Sequence, residues 1–368
     1  MRLKPNYKRY LLNALVSVAF VIIASLLSGN IKLTTIIPLA LIFCIASLAL
    51  NMVCGCLGEL ALGHGGFMLV GGIIASFVSQ KIFEIVQNKN GYTLIQMNEV
   101  FYNKLENTLY FEGYVLIIGA VIIGAILTGL IGYLIALALL GRMKGDYLAI
   151  ITLGIGLVFV SIANNLETIG GIEYGVEGPS LVSKLHGNTI IFASFFVLTL
   201  IIFVLLFKSR HGRAILSIRE DAIAAEASGI PVKKYKILTF AISAGFAGLA
   251  GGLYYHFQAY LGTTTFSQDK SIELLVFIVL GGLGSFSGTI ISTVVLTFTS
   301  YSLLQNAPSG YQQLIYGVIL IIIMLVRPDG LMGTSEITWD GMKAFFKKVH
   351  KRLFKKNELT IPNTEEDE

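Results

Sequence analysis

Charge is what this 368-residue sequence has least of, with Asp, Glu, Lys and Arg at 13% of the chain against 55% hydrophobic residues. So thin a polar complement excludes an ordinary soluble domain, and the mean hydropathy of +0.76 agrees. Between Leu11 and Val326 no stretch is polar enough to cover a separate globular core. Cysteine is equally scarce. Cys44, Cys54 and Cys56 lie in or beside one apolar run with no cysteine elsewhere to pair with, which excludes a disulfide framework. Their Cys-Gly-Cys spacing lacks the further ligands a metal needs, because His64 belongs to the next segment, so they read as small apolar packing residues. The five histidines, His64, His186, His211, His256 and His350, are scattered, which leaves no catalytic or metal cluster for a membrane-embedded enzyme. A Gly-Lys-Ser or Gly-Lys-Thr phosphate loop is absent too, so the chain is expected to carry no catalytic residue, metal or cofactor of its own.

What the sequence has is apolar length. A bilayer core of about 30 Å takes about 20 apolar residues per helix, and ten spans fit, at 10–29, 33–54, 60–80, 114–140, 147–166, 189–207, 237–257, 272–283, 286–305 and 312–326. The expected fold is all-α, a polytopic transmembrane bundle with short or broken helices among its spans. Arg2, Lys4, Lys8 and Arg9 before the first run would also suit a cleaved signal peptide, but nine later spans favour a retained helix. Lys and Arg gather before the first span, at Arg142 and Lys144, between Lys208 and Lys236, and after Val326. With ten spans all four clusters share one side, which the positive-inside rule makes the cytoplasm, with both termini there and the inner membrane as the location. The net charge of +5 then concerns lipid and topology, not nucleic acid. Residues 1–332 form the membrane domain and 333–368 a basic, then acidic, cytoplasmic tail. On the opposite side, 81–113 and 167–188 are too long for turns and too polar to span, and read either as small external structures or as solvated connectors.

Three regions carry more than hydropathy. From Asn51 to Gly72 the polar groups Asn51, Glu59 and His64 are set among glycines at or near membrane depth, which reads as a transport path or as a turn between two helices. From Gly212 to Lys236, Ile215, Ile218, Ala222, Ala225 and Gly229 recur at helical spacing with Arg219, Glu220, Asp221 and Glu226 on other faces. That spacing predicts one amphipathic helix over about 213–229, a rigid knob for a partner, stopped by Gly229 in a left-handed conformation and by Pro231. From Ser271 to Gly288 an apolar run is broken by Gly281, Gly282, Gly284, Ser285 and Gly288. Each half of the chain thus holds a broken hydrophobic element, as transporters often do where solute binds, so Asn51, Glu59, His64, Gly281, Gly282 and Gly284 are the translocation-path candidates.

Taken together, the ordered motifs resemble the LivM-type permeases of branched-chain amino-acid ABC transporters from about Leu41 to Gly333. The resemblance rests on Leu50-Asn51 with Leu62-Gly-His-Gly65, on Gly145-Asp-Tyr-Leu-Ala-Ile-Ile-Thr-Leu153, and on Ile218-Arg-Glu-Asp-Ala-Ile-Ala-Ala225 with Gly229-Ile230. Leu280-Gly-Gly-Leu-Gly-Ser285 and Val326-Arg-Pro-Asp-Gly-Leu-Met-Gly333 complete it. It implies an importer in which this chain pairs with a LivH-like permease, two cytoplasmic ATPase subunits that bind ATP and Mg, and an external solute-binding protein. It also implies that the Arg219–Gly229 region couples to the ATPase, through Arg219, Glu220, Asp221, Ala224, Ala225 and Gly229. Glu59 stands where the family more usually has an uncharged residue, and 81–113 is longer than typical. Urea and short-amide permeases share much of the pattern and are the alternative cargo class. A proton-coupled carrier using Glu59 or Glu273 is the alternative mechanism.

Overall fold

A computed structural model describes residues 31–90, 109–140, 145–170, 189–257, 263–266, 268–303, 311–326 and 330–333. The span expected at 10–29, the segments 91–108 and 171–188 and the tail from 334 lie outside the described residues. All regular elements among the described residues are helical, as lipid demands, since a helix satisfies its backbone polar groups within one segment. Helix α1 (Ile31–Asn51) runs into a wider π-type turn, Met52–Leu57. Then come α2 (His64–Asn90), α3 (Leu109–Leu139), α4 (Asp146–Gly170) and α5 (Thr189–Lys208). Two short helices, α6 (Arg210–Glu220) and α7 (Ala222–Ala227), precede α8 (Val232–Phe257). A 3-10 turn at Thr263–Phe266 leads to α9 (Gln268–Gly281), α10 (Phe286–Leu303) and α11 (Tyr311–Val326).

Among the described residues five helices are long and apolar enough to cross a membrane, within Thr35–Leu57, Ile117–Leu139, Tyr147–Asn165, Thr189–Lys208 and Val232–Phe257, with shorter apolar helices at His64–Ser79 and Phe286–Tyr301. Local chemistry moves several boundaries from their expected positions. Helix α2 starts at His64 because Gly58 turns left-handed at φ 81° and breaks the run. It continues to Asn90, so the first ten residues of the polar 81–113 segment are helical. Helix α8 starts at Val232, directly after Pro231, whose carbonyl accepts the Tyr235 N–H at 3.2 Å.

Helix α1 is the axis of the bundle, contacted by α5, α8, α9 and α10, while α8 also packs along α2 and α3. In lipid, apolar contact alone does not hold helices together, so close approach does. Gly71 lies so near the Gly248 backbone, and Gly251 so near that of Met68, that an added Cβ at either would strike it. Helices α9 and α10 form a hairpin turned by residues 282–285, where Gly282 and Gly284 take φ of 112° and 92°, conformations cheap only for glycine. Backbone at Gly281 packs on Gly288, and Ser292 Oγ donates to the Phe277 carbonyl at 2.6 Å. The single amphipathic helix expected over 213–229 is instead two helices. Asp221 is extended, at φ −156° and ψ 107°, and its carboxylate accepts the N–H groups of Ile223 and Ala224 at 2.8 and 3.0 Å. Capping a new helix is the better use of an Asp than helix interior, so α6 ends there and α7 begins.

Candidate functional site

The two glycine-rich breaks, more than two hundred residues apart in sequence, meet at one end of the bundle. Asn51, fully buried at the end of α1, clasps the α9–α10 turn with every group on its amide. Its Oδ1 accepts the Gly284 N–H at 2.9 Å, and its Nδ2 donates to the Ser285 carbonyl at 3.1 Å and to Thr289 Oγ1 at 2.9 Å. Gly55 in the π-type turn faces the same spot, and a Cβ there would lie 2.8 Å from the Gly284 Cα. The turn is held from a third direction by residues 330–333. Leu331 and Met332 donate their N–H groups to the carbonyls of Leu280 and Gly281 at 2.9 and 3.2 Å, satisfying the open end of α9.

The segment α6–α7 sits against this junction with two unlike faces. Ala214, Ile215, Ile218 and Ala225 are buried, and Gly212 packs on the backbone of Phe207. From the same side Arg219 reaches inward and its guanidinium donates to the Gly55 carbonyl. Its stem covers Gly58, whose Cβ would fall 3.2 Å from Arg219 Cγ, and its Nη1 lies 2.5 Å from where a Cβ on Gly284 would stand. The outward face carries Glu220, Asp221, Ala224 and Gly229, all exposed, and Ile223, a large apolar side chain left 82% exposed. The unit is stopped as its sequence predicts. Gly229 takes φ 83°, with Gly229 N–H on the Glu226 carbonyl at 2.9 Å and Ile230 N–H on the Ala225 carbonyl at 3.1 Å, the paired bonds of a Schellman stop.

Glu59 and His64 lie near the junction but apart from each other's chemistry. Glu59, 8% exposed, forms an ion pair with Lys236 in the first turns of α8 and so ties the 58–63 link to that helix. His64, at the start of α2, is 1% exposed and its Nε2 lies 2.7 Å from Ser243 Oγ. Ser243 donates its own proton to the Ala49 carbonyl, so His64 is the donor in that pair, and Phe67 and Phe240 meet its ring edge-on. At the far end of the bundle Lys270 and Glu273 pair at 2.6 Å, one turn apart on α9. Lys270 Nζ also sits 4.5 Å above the Phe43 ring, and Tyr316 donates to Glu273 at 3.4 Å.

Of the sequence candidates, the fold brings Asn51, Gly281, Gly282, Gly284 and Arg219 into one junction, puts Glu59 and His64 on its flank, and leaves Glu220, Asp221, Ala224 and Gly229 on the outward face, with Ala225 beneath them. Sequence reasoning missed Ile223, Lys236, Ser243 and Thr289. Ile223 had a signal, a bulky apolar residue off the periodic face of its helix. Lys236 had a weaker one, a charge at a span end opposite an interfacial Glu. Among the described residues no cluster of His, Cys, Asp and Glu could hold a metal ion.

A family model described as the permease component of branched-chain amino acid transport systems matches residues 32–324. The chain is 29% identical over 334 residues to the high-affinity branched-chain amino acid transport system permease protein LivM of Escherichia coli, covering 83% of this chain and 70% of that one. It is 24% identical to the probable LivM permease of Methanocaldococcus jannaschii, over 82% of this chain and 93% of its relative. A probable LivH permease of the same archaeon is 28% identical over 60% of this chain and 74% of its own. No solved structure matches. With the family model spanning nearly all of the helical bundle, the chain is a multi-pass membrane protein that belongs to the family of branched-chain amino acid transport permeases.

Proposed function

We propose that this chain is the membrane-spanning permease subunit of an ATP-driven importer for branched-chain or related amino acids. The observation that carries the reading is α6–α7. It is a short, doubly stopped unit that shows Ile223, Glu220, Ala224 and Gly229 outward and touches both glycine-rich breaks inward. A side chain as apolar as Ile223 at 82% exposure is suited to a pocket on another protein. The partner for that face is an ATPase subunit, which would bind ATP and Mg; Asp221 shapes the unit by capping α7, and Ala225 anchors it. A LivH-like permease would complete the membrane pathway, and a solute-binding protein would deliver cargo from outside. Both termini and α6–α7 would then lie in the cytoplasm, with the tail basic clusters beside the lipid headgroups. The junction around Asn51 and Gly281–Gly284, flanked by Glu59 and His64, is the part of the pathway expected to open and close, because its glycines allow large local rotation.

The test is uptake of labelled leucine, with labelled urea in parallel, in cells lacking the gene and in the same cells complemented with it. Loss and rescue of leucine uptake is the expected result. Rescue of urea alone would move the cargo to the short-amide class while keeping the importer mechanism.

A further inference from the structure

We propose that Arg219 is a transmission residue, the single side chain through which displacement of α6–α7 is passed to both broken membrane elements at once. This rests on reading α6–α7 as the ATPase-docking segment. Three features single Arg219 out. It stands in the last turn of α6, two residues before the Asp221 break, so tilting of α7 pivots beside it. Its guanidinium holds the Gly55 carbonyl, in the break after α1, and lies against Gly284, in the break between α9 and α10. Gly284 donates its N–H to Asn51 Oδ1, and Gly55 packs against both that oxygen and the Gly284 backbone, so a displacement of one presses on the other.

The other contacts of α6 are apolar or backbone packing at Gly212, Ala214, Ile215 and Ile218, with exposed hydrogen bonds from Arg213 to the Lys208 carbonyl at 3.0 Å and between His211 and the Tyr235 hydroxyl at 3.2 Å, neither of which reaches a glycine-rich break. Packed surfaces resist compression but slide and separate with little penalty. A charge-assisted hydrogen bond is directional and transmits tension as well as pressure. Lysine replaces it only in part. A planar guanidinium can bond one backbone while lying against another, whereas an ammonium is a point donor on a flexible stem. The glycines fit the same logic: any side chain at Gly284 would displace the guanidinium, and any at Gly58 would press on its stem. Arg219 is thus separated in role from Glu220, Ala224 and Gly229, which share its segment but point away from the bundle.

The experiment compares Arg219→Lys and Arg219→Ala with Ile223→Asp in the full complex, purified through the permease and reconstituted in liposomes with the binding protein. Three quantities are read at equal inserted permease: ATPase subunits retained, ATP hydrolysed, and labelled leucine taken up per ATP. Both Arg219 variants are expected to keep the ATPase subunits and to hydrolyse ATP within about twofold of wild type. Uptake per ATP should fall about tenfold in Arg219→Ala, the scale of one lost charge-assisted hydrogen bond, and by less in Arg219→Lys. Ile223→Asp should shed the ATPase subunits. Loss of those subunits from the Arg219 variants, or wild-type uptake per ATP in Arg219→Lys, overturns the transmission role and leaves docking standing. Full retention and normal uptake in Ile223→Asp overturns the docking reading beneath it. Should Arg219→Ala fail to insert, Arg219→Lys alone decides by the same ratio.

Discussion

Helices α1 and α4 are close in composition, with mean hydropathies of 2.5 and 2.1 over their apolar stretches, yet 94% of the first window is buried inside the protein and 22% of the second. Both satisfy the length and apolarity a bilayer requires, so hydropathy places each across the membrane and says nothing of which lies within the bundle. What separates them is the company each keeps. Helix α1 ends in buried Ser47 and Asn51 and continues into Gly55, groups that need protein partners. Helix α4 turns Tyr147, Ile150, Val158 and Ile162 outward, each more than half exposed. An apolar side chain is as content against lipid as against another helix, whereas an amide is not. The inner helix is therefore marked by its polar end and small residues.

Substitutions at the ends of that comparison, Asn51 on α1 and Ile150 on α4, can break it, and three at the junction and its flanks grade the interval between them. Asn51→Leu should have the largest effect. It leaves the Gly284 N–H without an acceptor inside the bundle and should lower stability by about 3 kcal/mol, read as a fallen midpoint of thermal unfolding in detergent. Gly281→Ala comes next, at about 2 kcal/mol, since its Cβ would lie 2.5 Å from the Gly288 carbonyl carbon and the hairpin must spread. Glu59→Gln should cost about 1 to 2 kcal/mol by leaving Lys236 without its ion-pair partner in a site 13% exposed, between the surface and buried limits for ion pairs. Gly229→Asp adds about 1 kcal/mol of local strain at φ 83° with open space around it; membrane insertion should survive while uptake is lost. Smallest of all, Ile150→Ala on the outward face of α4 should change the unfolding midpoint by less than about 0.5 kcal/mol equivalent. A penalty at Ile150 as large as that at Asn51 would mean that α4 is covered in the intact protein and that the two helices differ less than their burial suggests.

Much of the fold was legible because its signals are local. Apolar length gives the helices, Gly229 with Pro231 gives the stop after α7, and the glycines at 281–284 give the hairpin turn. Asp221 was legible in principle as a cap, but the helical period of Ile215, Ile218, Ala222 and Ala225 spans it and hides the break. The junction was legible only as two separate anomalies. Asn51 is visibly out of place in an apolar run, yet its partners Gly284, Ser285 and Thr289 lie more than two hundred residues away, and pairing across that distance leaves no periodic trace. Arg219 shows the same limit more sharply. Its charge places it with Glu220 and Asp221 on the proposed docking surface, while its direction depends on where Gly55 arrives in space.

The energy source is the point on which everything above α6–α7 depends. Labelled leucine uptake should therefore be measured in cells rescued with this chain, with a protonophore added while cellular ATP is held constant. Persistence of uptake, together with its loss when ATP is depleted, is the predicted result and fits a permease driven through its docking segment. Collapse of uptake under the protonophore at constant ATP, accompanied by loss of transport in Glu59→Gln, would contradict it and make Glu59 the carrier of a proton.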